Sequence, residues 1–400
     1  PTRGRLRENL FNLLVYLQTH PVRLAKNAVS STDRQALVAC LLPPVLPALS
    51  PEAELDFLLH LGRRTELLTV AHGRLRPNRN PVRGWLQAGT AAQMWMLQNA
   101  WRADPTWNDL WHVPELQPQN TGWENSPLRA RAAILDFLER LNAPPNSWLA
   151  IDGFLNTIKQ ANPDFQRPNG DYQSWYIKNA AGEMLMGFEH WDAVEGGLIR
   201  YLIGVILPLL DVVELGKSDS GAVPDLFQIT AAGQQFLART PPDAAESQSA
   251  VRLRVDDKFQ VRVPAQASLY DRFQLARFAE FDQRTDRQAV YRITRASLNR
   301  ALKNGVTAEQ ILAFLTRVTN NQIPLRVVER LRAWGGRFSS AKIEQATLLR
   351  LKNQQMVDEL QRHPAVGPLL GEVVGPTTII LPAKTAHRVR QLLREMGYLE

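Results

Sequence analysis

Residues 290–311 read VYRITRASLNRALKNGVTAEQI, a strand followed by two capped helices. Val290, Tyr291 and Ile293 favour a strand over 290–293. Thr294 stands where it would cap a helix over 296–303. Thr307 would cap a second over 308–318, with Gln310 at the capping-box position. Upstream, Val251, Leu253 and Val255, then Phe259, Val261 and Val263, alternate with polar residues, the period of half-buried strands. A helix is expected over 269–281. Downstream, a third helix over 324–334 is closed by Gly335-Gly336. Residues 338–343 and 347–351 suggest a hairpin, 355–362 a short helix, 370–374 and 378–381 strands, and 383–396 a closing helix. The fold class is therefore α+β, with a small sheet packed by helices.

The first 240 residues follow a different grammar. Leu6, Leu10, Leu13, Leu14 and Leu17 put an apolar stripe on a helix over 5–18, stopped at His20-Pro21. A second helix is expected from Ser31 or Thr32 to Leu42. Ser50 would cap, and Pro51 start, a third over 51–62, closed by Gly62. A hairpin around His72-Gly73 follows, then a helix over 90–102 capped by Thr90. From Ser126 the order restarts: a helix to about Leu141, one helix or a turn and a helix over 149–162, and an apolar helix over 195–207 ended or kinked by Pro208. Strands over 212–215 and 226–230 and a short helix over 230–237 complete it. Helices followed by a hairpin are the order of a winged helix. The expected domains are thus 1–110 and 126–238, both winged-helix-like, a Pro-rich linker over 239–250, and an α+β domain over 251–400.

The chain has 400 residues, 47 Lys+Arg and 39 Asp+Glu, formally +8. The charge is divided unevenly: residues 1–83 carry 12 basic and 6 acidic side chains, 84–250 carry 10 and 19, and 251–400 carry 25 and 14. The last segment, rich in Arg over Lys, is suited to phosphates or carboxylates. The longest apolar run, 198–210, contains Arg200 and Pro208 and is too short to span a bilayer. The lone Cys40 excludes an internal disulfide or a Cys-based metal cluster and fits a reducing, cytoplasmic compartment. The chain begins at Pro1, which leaves processing or a longer parent chain open.

No P-loop and no His-Glu-x-x-His motif occurs, and the seven histidines show no ligand spacing. Asp256-Asp257 would point to opposite faces of a strand, and Cys40 reads as a buried small hydrophobe on an apolar helix. The expectation is a protein that is not an enzyme, with no cofactor and no metal. Nine of the ten tryptophans fall between Trp85 and Trp191; they suit core packing better than base stacking, because the surrounding segment is acidic.

The run at 290–311, with Asn321-Gln322-Ile323-Pro324-Leu325 and the Gly/basic turn over 332–338, resembles the N-terminal helicase-associated domain of XPB-type helicases. The resemblance covers about 251–400. Three upstream pieces resemble bacterial proteins that carry this domain without a helicase motor: residues 162–168 (NPDFQRP), 191–202 (WDAVEGGLIRYL) and 227–233 (FQITAAG). In those relatives a Leu-Gly pair follows the Pro-Leu of the apolar helix, whereas here Pro208-Leu209 runs into Leu210-Asp211, a departure expected to reshape the wing. The resemblance implies winged-helix units upstream and links to damaged-DNA engagement and partner proteins.

Charge and resemblance together give the expectation of a non-catalytic DNA-binding accessory protein with weak sequence preference, in repair or transcription. Candidate DNA-binding residues are Arg295, Arg300 and Lys303 around one helix, Arg326 and Arg330 on one face of the next, Arg337 in the turn, and Arg388 and Arg394 at a further edge. For each of them a solvated helix surface is the simpler alternative. The competing expectation is a scaffold that docks a helicase, nuclease or transcription component through the Trp-rich acidic centre.

Overall fold

The computed structural model describes residues 2–25, 28–144, 146–218, 223–243, 251–285, 287–336 and 346–399. The fold is α+β, with helices packed around several small antiparallel sheets. The chain divides into two compact units at the Gly335/Gly336 boundary, inside the stretch 251–400.

The larger unit opens with the helix Arg5–Thr19, whose predicted leucines are all fully buried. The helix Pro51–Arg64 lies across it; Ser50 Oγ accepts from Ala53 N at 3.1 Å, and Pro51 occupies the first turn. Gly62 does not close this helix, which runs on to Arg64 and is capped at Thr65; the glycine instead leaves room for the Leu68 side chain, which a Cβ would meet at 2.7 Å. The second helix is shorter than expected, Ser31–Val38, and is capped by Ser30. The hairpin Leu68–Ala71 and Arg74–Pro77 forms as expected and gains two further strands, giving the order Ala28–Val29, Val22–Ala25, Arg74–Pro77, Leu68–Ala71. Thr90 begins its helix but does not cap it; its Oγ1 instead accepts from Arg7 Nη1 at 2.6 Å.

Pro127–Arg140 is capped by Ser126, and a three-stranded sheet joins Leu149–Ala150, Leu226–Ile229 and Val213–Gly216. The apolar helix Trp191–Tyr201 widens into a π segment over Leu202–Ile206, where Leu207 N donates to Leu202 O five residues back. Pro208 follows immediately and supplies no N–H to the ladder. One apolar core runs continuously from Leu6 to Leu237 and takes in Leu269 and Phe273.

The sequence pieces at 162–168 and 191–202 meet in this core. Arg167 Nε donates to Glu195 Oε1 at 2.5 Å, and Trp191 Nε1 donates to Pro163 O at 2.9 Å. The guanidinium of Arg167 also lies 4.3 Å from the Trp175 ring centroid. The unusual Asp211 adopts φ 56°, a left-handed conformation that favours glycine, and its carboxylate accepts from Gly4 N at 3.0 Å. The two strands that follow still pair in register, Val213 with Ile229 and Leu215 with Phe227.

Residues 253–335 form a second core around the sheet Arg254–Val255, Gln260–Pro264, Gln288–Arg292, Glu280–Arg284. The helix expected over 269–281 ends at Leu275. Phe281 belongs to the strand Glu280–Arg284, opposite Tyr291, because a nonlocal partner outweighs its helical spacing. This core is tied to the N-terminal helix by Arg272, which donates to Glu8 Oε1 at 2.6 Å and to Glu8 Oε2 at 3.0 Å, both residues being buried. Burial would raise the Glu8 carboxyl, but hydrogen bonds and charge from Arg272 and Arg284 hold it below its ordinary value.

In the smaller unit, Thr347–Arg350 pairs with Thr378–Leu381, which also pairs with Val373–Gly375. The expected hairpin partner of 347–351, residues 338–343, lies outside the described residues. The helices Gln354–Arg362 and Ala386–Glu395 bury Val357, Leu360, Val389 and Leu393 against this sheet.

Candidate nucleic-acid interface

The helix Arg295–Lys303 is held at its start by a reciprocal cap. Ser297 N donates to Thr294 Oγ1 and Thr294 N donates to Ser297 Oγ, each at 3.0 Å. Ser297 Oγ also donates to Phe278 O at 2.7 Å, which pins the helix to the segment before the strand Glu280–Arg284. Ser297, Leu298 and Ala301 point into the core, so Arg295, Asn299 and Lys303, at spacing i, i+4, i+8, form the outward row. Arg295 and Lys303 are exposed and have no ion-pair or hydrogen-bond partner among the described residues. Arg300 is different: its guanidinium is half-buried, 3.5 Å from Glu280 Oε1, and its Nε is buried without a partner.

The helix Ala308–Thr319 repeats the reciprocal cap at Thr307 and Gln310 and ends on Asn320 in the left-handed region. The next helix, Leu325–Gly336, buries Val327 and Leu331 in the same core. Arg326 stands exposed and unpaired among the described residues. Arg330 is also exposed, with its guanidinium 5.9 Å from the Trp334 ring centroid, and Trp334 stacks on Phe259 at 5.3 Å. Other basic side chains here are engaged: Arg292 by Asp282 at 3.0 Å and Arg317 by Asp271 at 2.6 Å. Arg337 lies outside the described residues. Arg388 and Arg394 belong to the smaller unit, both exposed on Ala386–Glu395, and Arg388 Nη1 donates to Gln391 Oε1 at 2.8 Å.

Residues 253–375 match the family described as helicase conserved C-terminal domain. The match spans a minority of the chain and includes Arg295, Arg300, Lys303, Arg326 and Arg330; Arg388 and Arg394 fall beyond it. No curated protein matches the chain. A helicase C-terminal domain is consistent with a helicase-associated module and points to a nucleic-acid-related function; it does not by itself bring a motor. Among the described residues no group of three or more His, Cys, Asp or Glu side chains is placed to hold a metal ion, and no helix is long and apolar enough to cross a membrane.

Two sequence expectations about chemistry change. Cys40 is half-buried in the turn after Ser31–Val38, not on an apolar helix; its Sγ donates to Ala36 O at 3.2 Å, and burial pushes the thiol up to about 11. Asp256 is a turn residue whose carboxylate accepts from Lys258 N and Gln260 N. Burial pushes the Asp211 carboxyl up to about 6, against the Gly4 N–H and the nearby Arg3 and Arg7. The ion pairs that organise the larger unit were not singled out in the sequence, because nothing local separates Arg131 or Arg167 from a surface arginine.

Proposed function

We propose that this chain is a non-catalytic DNA-binding accessory protein of the kind associated with XPB-type helicases, working in the cytoplasm in repair or transcription without a motor of its own. On this reading, winged-helix-like modules cover 1–110 and 126–238, 239–250 is a linker, and 251–400 is the DNA-binding domain. The order helix, two short strands, two helices and a hairpin over residues 5–77 supports the winged-helix part. The observation that carries the function is the set of exposed cations without a partner among the described residues, Arg295, Lys303 and Arg326, on two helices inside the stretch that resembles a helicase domain. Arg330 extends that set. Each offers a charge to backbone phosphate, which gives affinity with little sequence readout. Arg300, Arg337, Arg388 and Arg394 are assigned supporting contacts. The chain binds rather than turns over, so no reaction step is assigned. Measuring duplex and forked DNA binding by the full chain at about 50 and 200 mM salt tests it: affinity should fall steeply with salt, and absence of binding at the lower salt would overturn it.

A second reading, a protein-interaction scaffold, is favoured by one feature. Trp111, 41% exposed, stacks on Trp123 at 6.0 Å, which stacks on Trp175 at 5.0 Å. An open cleft of about 530 Å³ beside Trp123 and Trp175 is also lined by Glu124 and Asp171. That chemistry fits a basic, apolar segment of a helicase, nuclease or transcription component. Trp123→Ala abolishing partner capture while leaving DNA affinity intact would promote this reading.

A further inference from the structure

The larger unit carries a second basic surface on its N-terminal sheet, far in sequence from the helices just described. Register sets its composition. Arg23 lies directly opposite Arg74, which is also opposite Ala71, and Arg76 lies opposite Thr69. Cross-strand partners share a face, and so do residues two apart. One face therefore presents Arg23, Arg74 and Arg76 together with Ala25, Ala71 and Thr69, while Val22, Leu68 and Leu75 are buried on the other. All three arginines are exposed, and among the described residues none has a hydrogen-bond or ion-pair partner. The described residues of this face include no carboxylate.

The chain after Arg76 adds to the same charge. Residue 79 is an arginine at the first position of the helix Arg79–Gln87, whose opening turn has no acidic residue and whose Asn78 makes no side-chain cap. Arg83 follows four residues on, also exposed and unpaired among the described residues. A cation at a helix N-terminus and like charges directly across a sheet are both unfavourable to folding. Among the described residues no carboxylate pairs with these side chains, and an external polyanion would relieve both arrangements. Arginines on adjacent strands sit about 5 Å apart, and about 7 Å apart along one strand. That array meets the repeating, closely spaced charges of a nucleic-acid backbone better than one isolated anion.

We infer that this sheet face is a second docking surface for the phosphate backbone of duplex DNA, with Arg23, Arg74 and Arg76 at its centre and Arg79 and Arg83 at its margin. It rests on the reading of the chain as a DNA-binding protein. The contact is sequence-independent, because strand arginines on phosphate read no base edge. Two basic surfaces let one chain hold a duplex at more than one point, so the loss of either weakens binding without abolishing it.

The test uses the full chain and a short DNA duplex of random sequence, titrated across a salt series. The triple variant R23Q/R74Q/R76Q should reduce the slope of log affinity against log salt by about 2 to 3, at about 0.9 for each phosphate that is no longer neutralised. Its melting temperature should equal or exceed that of the unaltered protein, since the variant removes like-charge repulsion. The triple Lys variant, which keeps the charges, should retain the slope and shows that an effect of the Gln variant is not misfolding. A Gln variant that melts normally and keeps the full slope overturns the inference and leaves the proposed function standing. An unaltered protein that fails to bind the duplex at about 50 mM salt overturns the proposed function itself, and the inference with it.

Discussion

Arg131 and Arg326 are the same side chain in opposite circumstances. Arg131 is 1% exposed in the acidic centre of the chain. Its Nε donates to Asp109 Oδ2 at 2.6 Å, its Nη1 donates to the carbonyls of Trp101 and Asp104, and its Nη2 donates to Trp107 O. Arg326 stands in solvent on a helix of the basic segment with no partner among the described residues. Arg167 with Glu195 and Arg5 with Glu54 behave like the first, and Arg295 like the second. Net charge counts all of these alike, but only the solvent-facing, unpaired ones are available to phosphate. The N-terminal and central segments hold both kinds, core ties such as Arg5, Arg131 and Arg167 and exposed side chains such as Arg23, Arg74 and Arg76.

The comparison breaks most readily at Arg131. Arg131→Ala leaves Asp109 buried without its counter-charge, and should cost about 3–5 kcal/mol in urea unfolding while the folded protein binds DNA as before. A loss under about 1 kcal/mol would mean that the buried arginines are not what holds this core.

Asp211 probes the same core through pH. Its folded value of about 6 lies above the ordinary 3.8, so its contribution to stability is present below about pH 4 and is lost as pH rises through 6. Asp211→Asn removes that loss. Melting curves should show the variant gaining on the unaltered protein between about pH 4 and 6, by up to about 2–3 kcal/mol, with a constant difference above. A difference that does not change with pH would contradict the burial assigned to this carboxyl.

A smaller effect belongs to the cap at Thr307, whose Oγ1 accepts from Gln310 N at 3.2 Å. Thr307→Ala should cost about 1 kcal/mol by chemical denaturation, with no change in DNA affinity, because it holds the helix that lies between the two carrying the exposed cations. The smallest effect on stability is expected for R326Q/R330Q, within about 0.5 kcal/mol, since both side chains face water.

What was legible in the sequence was local. The caps at Ser50, Thr294 and Thr307 act over three residues, and the leucine stripe of residues 6–17 needs only helical spacing, so both can be read without the fold. Nonlocal pairing was not legible. Phe281 joins a strand because Tyr291 lies opposite, and 347–350 finds its partner at 378–381, some thirty residues on. The candidate site was partly legible: spacing placed Arg326 and Arg330 on one face, but could not show that Arg300 turns toward Glu280 while Arg295 and Lys303 have no partner among the described residues. Nor does spacing reveal that Arg23 faces Arg74, since that register depends on the strand Val22–Ala25, which no local pattern announces.

The central claim is that exposed cations on the helices Arg295–Lys303 and Leu325–Gly336 meet DNA phosphates. The most direct measurement is the salt dependence of duplex DNA binding by the full chain beside R326Q/R330Q. The account predicts a steep fall of affinity with salt for the unaltered protein and a slope lower by about 2 in the variant, with stability unchanged. Equal slopes for the two proteins, both folded, would contradict it.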